Sequence, residues 1–200
     1  MNHDSHSQLD IPINEKVKGL PGFFGLQLEE QAPFEILKVD GGIEIRSYKP
    51  QTRASISVTG EFKEAYKEAF NGLAGYIFGN NKTGEKIQMT TPVLLQETAS
   101  KEWTMSFILP QQFVTQTAPK PEDNRILLED YPLHLLASIS YAGINNEEKI
   151  NEYSGILKKW LKKRPWYIPL SDFKTAQYDG PLTIPFFRKN EIHINVKHIH

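Results

Sequence analysis

Arg53-Ala-Ser-Ile-Ser-Val-Thr-Gly60 and Leu136-Ala-Ser-Ile-Ser-Tyr-Ala-Gly143 are one pattern written twice, 83 residues apart. In each, apolar and polar residues alternate with the period of two that marks a β-strand with one buried face, and each run stops at a glycine. The same offset pairs Tyr48 with Tyr131. It runs on without a gap beyond the glycines, where Gly72-Leu73 meets Gly155-Ile156 and Ile77-Phe78 meets Trp160-Leu161. Strand, turn and helix therefore recur together as a repeated unit. One such unit cannot cover both faces of its own sheet. The economical arrangement is a single α+β domain: a distorted antiparallel β-barrel flanked by two α-helices, built from two pseudo-repeated strand-helix-strands halves.

Working outward, Phe34 to Val39 and Ile43 to Ser47 read as strands joined by a Gly41-Gly42 hairpin turn. Between Glu61 and Phe78, apolar residues fall at helical spacing, with Phe62, Tyr66, Ala69, Phe70 and Leu73 among them, before a Gly79-Asn80 stop. A second helix is expected from about Asn146 to Arg164. It has Glu147 and Glu148 in its first turn, Lys162 to Arg164 in its last and Pro165 beyond, an order that suits the helix dipole. Further strands are expected over Lys86 to Leu95, Trp103 to Leu109, Arg125 to Tyr131, Leu133 to Ser140, Phe173 to Tyr178 and Glu191 to Val196. Residues 1–31, with Gly19, Pro21, Gly22 and Gly25 and no sustained periodicity, read as an N-terminal arm, and 32–200 as the domain.

Composition narrows the function. With 39% hydrophobic residues the chain has material for an ordinary core, and a formal charge of −1 offers no positive field for nucleic acid or anionic lipid. No run of eighteen apolar residues appears, so membrane insertion is not expected. The polar, acidic opening MNHDSHSQLD is unlike a secretory signal, and a cytoplasmic monomer is the expectation. The absence of cysteine excludes disulfides, thiolate catalysis and thiolate ligation of zinc or haem iron.

Four segments carry a resemblance. Ile45-Arg46-Ser47-Tyr48, then Ile87-Gln-Met-Thr-Thr-Pro-Val93, then Phe107-Ile-Leu-Pro110 with Pro119-Lys-Pro121, and finally Tyr178-Asp-Gly-Pro181 with Phe187-Arg-Lys-Asn-Glu-Ile192 resemble, in order, the signature segments of the SOUL/p22 haem-binding family. The resemblance spans about Phe34 to Val196. It implies the same two-helix barrel, and non-covalent binding of haem or another tetrapyrrole. In p22-like members an apolar patch on the first helix and the loop before the last strand holds the porphyrin. The positions that match it are Lys67, Phe70 and Leu73 on the first helix, with Phe186 and Arg188 near the end. Where SOUL-like members carry an axial histidine this chain has Ser47, so the resemblance implies the p22-like mode with no assigned axial ligand.

Read from the residues alone, an aromatic helix stripe is more often plain core than a ligand surface, and the stripe stays open between the two. The six histidines make no recognised metal motif, and no metal site is expected. Gly-x-Ser-x-Gly, a phosphate-binding Gly-x-x-x-x-Gly-Lys loop and His-Glu-x-x-His are all missing, which favours a carrier, buffer or sensor over an enzyme. Glu191 reads either as a pocket carboxylate or as the partner of an ion pair with Arg188 or a neighbour. Two other readings stand beside the tetrapyrrole carrier. One is an effector-binding domain or hydrolase of the same barrel architecture, and the other a module that docks a protein partner on the aromatic face of the first helix.

Overall fold

The computed structural model describes residues 30–179 and 188–199. Most of the expected arm therefore lies outside the described residues; its last two residues form β1 (Glu30–Gln31). The order continues β2 (Phe34–Asp40), β3 (Ile43–Tyr48), β4 (Gln51–Thr59), α1 (Phe62–Ile77), β5 (Thr90–Thr91), β6 (Val93–Ala99) and β7 (Glu102–Ile108). The second half follows as β8 (Leu127–Tyr131), β9 (His134–Ala142), α2 (Glu147–Lys162), β10 (Tyr167–Pro169), β11 (Lys174–Gln177) and β12 (Lys189–His198). The strand expected from Lys86 begins only at Thr90 and is interrupted at Pro92, which has no N–H for a ladder. The short β1 and β10 have no periodicity to betray them.

The main sheet runs β2-β3-β9-β12-β11-β6-β7-β4-β8, with β10 paired to β12. From β3 to β8 this order is a palindrome under exchange of the halves: β3 answers β8, β9 answers β4, β12 answers β7, and β11 answers β6 across the middle. Registers obey the same symmetry. Tyr48 pairs with His134 across β3 and β9, and Gln51 with Tyr131 across β4 and β8, the same pairing shifted by 83 residues. Each half thus lends its first strand to the other half's sheet.

That exchange forces the curl. β3 and β4 stand six strand spacings apart along the sheet, about 29 Å if it were flat, yet only Lys49-Pro50 joins them. Three Cα steps span at most ~11 Å. Pro132-Leu133 imposes the same limit between β8 and β9. The sheet closes toward a half-barrel because its ends are tied together twice.

The two faces differ. Outward, Ala54, Ile56 and Val58 of β4 pack with α1, and Ile43, Ile45, Ala137 and Ile139 pack with α2. Inward, Tyr48, Leu94, Ile108, Leu136 and Ala176, from five strands, meet in one cluster across the concave side. The inward positions otherwise carry polar groups, including Arg46, Arg53, Ser55, Ser138, Glu191 and His193, all buried.

The helices correct one expectation. At the 83-residue offset Leu73 should match Ile156, but Leu73 is 0% exposed and Ile156 is 40% exposed. Burial matches instead when the offset is one longer, pairing Leu73 with Leu157 and Ile77 with Leu161. The chain takes one extra residue between Gly143 and the sheet-facing positions of α2, and side-chain direction, not string identity, decides the equivalence. Gly60 and Gly143 both hold positive φ, +151° and +102°, at the matching strand-to-helix turns.

Ala54 and Ala137 are equivalent and both 0% exposed beneath their helices. Replacing either by leucine is expected to cost about 1–3 kcal/mol by overpacking, read as a lower urea midpoint. Losses in one half only would show that the helices do not pack equivalently.

Candidate functional site

Along α1, Phe62, Tyr66 and Phe70 succeed one another at four-residue spacing and so share one face of the helix. Their rings are in contact: Tyr66 and Phe70 stack at 6.2 Å and 6°, and Phe62 and Tyr66 lie 6.3 Å apart. β7 supports the row from below, Trp103 meeting Phe62 at 5.0 Å and Phe107 meeting Phe70 at 5.6 Å, both edge-on. Phe62 and Phe70 are only partly buried, and Lys67 beside them is half-buried. The result is a braced apolar ridge with a cation at its flank.

Of the five residues singled out from the sequence, Lys67 and Phe70 lie on this ridge and Phe186 lies outside the described residues. Leu73 is wholly enclosed in the core under α1, so its contact is with the sheet and not with anything on the helix surface. Arg188 is half-buried, its carbonyl accepting from the Gly143 N–H at 3.0 Å. Its charge reaches α1: burial pushes the Tyr66 phenol up, and Arg188 is the influence that opposes this. The Tyr66 hydroxyl donates to Gln177 Oε1 at 2.7 Å, tying the ridge to β11.

Glu191 is settled as an ion pair, with a partner the sequence did not indicate. Arg46, from β3, donates to both carboxylate oxygens, at 2.7 and 2.9 Å. Tyr178 donates at 2.6 Å, and Ser138 and Ser140 at 3.1 and 3.0 Å, while Lys189 Nζ stands 3.2 Å away. His193 Nε2 lies at 2.7 Å, and because a carboxylate only accepts, that nitrogen carries the proton. Burial alone would raise the Glu191 carboxyl, but the bonds from His193 and Arg46 prevail and hold it well below the usual carboxylate range. Burial pushes His193 down, against the opposing hydrogen bond and charge of Glu191. With both oxygens so fully bonded, Glu191 has no lone pair left for a substrate proton. Arg46, Tyr178 and Glu191 are signature-segment residues, and what they build is a clasp across the sheet.

Among the described residues no group of three or more His, Asp or Glu is arranged to hold a metal ion. His134 and His193 lie on the concave side, across the sheet from α1, and the His198 ring packs on Tyr167 at 5.0 Å.

Glu191→Gln is expected to cost about 3 kcal/mol, because Arg46 would lose its fully buried counter-ion and keep only the half-buried Glu44, whose carboxylate accepts from Nε at 2.7 Å. A carboxyl held below its ordinary value near 4.5 stabilises the fold above that pH and ceases to do so as acid protonates it. Chemical denaturation across pH should therefore show stability falling below about 4.5 in the parent, with a flatter acid limb in the variant.

The chain matches several relatives over most of their length. The chain is 27% identical over 168 residues to Heme-binding protein 2 of Mus musculus, covering 81% of this chain and 82% of that one. It is 29% identical over 171 residues to Heme-binding protein 2 of Homo sapiens, with coverages of 81% and 82%. Against Heme-binding protein 1 of Xenopus laevis the identity is 29% over 157 residues, with coverages of 74% and 80%. Among solved structures, the C-terminal domain of EcmrR overlays with a TM-score of 0.60 at 12% identity, covering 78% of this chain and 98% of that one. A hydrolase from Listeria innocua overlays with a TM-score of 0.54 at 10% identity, covering 80% and 94%. At such identities these two share the fold alone. Residues 29–195 match the family described as SOUL heme-binding protein, and the chain belongs to that family.

Proposed function

We propose that this protein binds haem or a related tetrapyrrole without a covalent link, at the partly open flank of α1 where its aromatic row meets β7, and serves as a carrier, buffer or sensor without catalysing a reaction. The observation that carries this reading is the braced Phe62-Tyr66-Phe70 ridge, left partly open and flanked by Lys67. A porphyrin offers a flat apolar ring and two propionates. Ring contact contributes ~25 cal/mol per Å² of apolar area buried, so Phe70 and its neighbours supply most of the affinity. Lys67 and Arg188 orient the acidic edge. Phe186, outside the described residues, is proposed as a further apolar contact to the ring, and Leu73 supports the ridge from within. The names of the relatives support the ligand class. The absence of cysteine leaves no residue for a thioether link. The fully bonded Glu191 supports the non-catalytic part of the reading.

The order of two effects tests the location. An exposed charge pair contributes ~0–1 kcal/mol, whereas a carboxylate placed against the ring removes apolar contact and repels the propionate edge. Phe70→Asp should therefore weaken haemin binding far more than Lys67→Ala, in Soret titrations of variants first checked by circular dichroism. A folded Phe70→Asp protein that binds like the parent would place the ligand elsewhere.

Ligation gives a separate check. Because His134 faces the concave side, His134→Ala should leave the spectrum of bound haem unchanged. Loss of a six-coordinate low-spin spectrum in that variant would mean that the ring sits inside the half-barrel.

A further inference from the structure

On the concave face, across the sheet from α1, Arg53, Ser55, Leu94, Gln96, Thr104, Ser106, Glu129, Tyr131 and Lys174 line a cleft of about 90 Å³. That is far below the several hundred Å³ of a drug- or cofactor-sized pocket. It suits a group of a few heavy atoms.

The cations there are poorly matched. Arg53 is 5% exposed, and its Nε makes no hydrogen bond. Its guanidinium carbon stands over the Tyr131 ring, 3.7 Å from the centroid, and among the described residues its one side-chain hydrogen bond is Nη2 to His134 Nε2 at 3.5 Å. His134 donates from Nδ1 to the Pro132 carbonyl at 2.9 Å, which leaves Nε2 as a neutral acceptor and not as a counter-ion. Lys174 Nζ stands 5.7 Å from the same Tyr131 ring. Among the described residues no carboxylate comes within 4 Å of either cation. Glu129 attracts Arg53 and Asp172 attracts Lys174 only from a distance, and both acids are exposed. Arg46, the other buried arginine among the described residues, is by contrast answered by both Glu191 and Glu44. Burial pushes Arg53 down to about 10 and Lys174 down to about 8, the charge of Arg53 adding to the second. Two desolvated cations flanking one ring, with a donor unused, describe half of a site.

We infer that this cleft is a binding site for a small oxyanion, the carboxylate or phosphate group of a metabolite-sized ligand, taken between Arg53 and Lys174, with the one hydroxyl hydrogen left over from the Ser55–Ser106 hydrogen bond (2.8 Å) as a further donor. An oxyanion there answers the charge of the Arg53 guanidinium from the cleft side and relieves the repulsion between the two cations. Glu129 at the rim is the one lining group that opposes it. The site is independent of the tetrapyrrole surface, which lies on the other side of the sheet.

The test is an amide NMR titration of the whole chain with inorganic phosphate and, separately, with acetate, each at ionic strength matched by sodium chloride. Saturable shifts at residues 53–55, 104–106 and 174 are expected. The anion that saturates at lower concentration identifies the group recognised. Lys174→Met should weaken binding about tenfold, the loss expected for one bond to a charged group. Glu129→Gln, at an exposed position that does not endanger folding, should strengthen it severalfold. No saturable shift beyond the chloride control would overturn the inference, as would affinities that neither substitution changes. Haemin binding should be unaffected by both variants.

Discussion

Two dipeptides, Lys49-Pro50 and Pro132-Leu133, set the geometry on which everything else depends. Each must carry the chain between strands that stand at distant places in the same sheet, and neither is long enough to do so unless the sheet closes. The closure gives the molecule an inside and an outside of opposite chemistry. Tyr48, Gln51, Tyr131 and His134 are the residues on either side of these links. They pair with one another across the two registers, so the point of closure is also where Tyr48 stacks on His134 at 5.6 Å and Arg53 settles on Tyr131.

The inside would be hard to fill with apolar groups alone, because a strongly curled sheet narrows on its concave face. The protein fills it instead with a bonded polar network. Glu191 gathers donors from β3, β9, β11's end and β12 itself, and its burial is tolerable because both oxygens are bonded throughout. Such a hub adds less net stability than an apolar replacement of the same shape. What it specifies is register: sliding β12 by one residue would turn Glu191 to the helix side and leave Arg46 with only Glu44 of its own strand. The outside is free of this demand, and its ridge on α1 can remain partly open.

Much of this architecture was legible. The repeated Ala-Ser-Ile-Ser strings announced the duplication, and the structure returns it as matched registers and a palindromic strand order. Gly41-Gly42 announced a hairpin, and both glycines sit at positive φ between paired Asp40 and Ile43. The slip in α2 was not legible, because Gly155-Ile156 imitates Gly72-Leu73 while the burial pattern runs one residue later. Nor was the partner of Glu191. Arg188 is close in sequence, whereas Arg46 lies 145 residues away on a strand that does not touch β12, and only the interposed β9 brings them together. Phe70 and Lys67 could be picked from helical spacing and the family resemblance, but Leu73 shares their helix without sharing their surface. Arg53 and Lys174 carried no signal at all: each is an ordinary residue in a strand, and their meeting is a product of the curl.

The exchange of first strands between halves bears on the origin of the chain. Cut into its two repeats, each half would keep β4 or β9 but lose the flank that the other half's β8 or β3 provides, while its own exchanged strand would hang from a two-residue hinge, β3 with only β2 beside it and β8 with no strand to pair. Two identical copies of such a fragment satisfy one another by trading those strands about a dyad, which is the geometry of a swapped homodimer. The single chain preserves that dyad between β6 and β11, where only three residue pairs join the halves. Its two faces differ accordingly: the duplicated outer surfaces carry an aromatic row on α1 and a more polar α2, while the interior that both halves share sets the Glu191 hydrogen-bond network beside an apolar cluster.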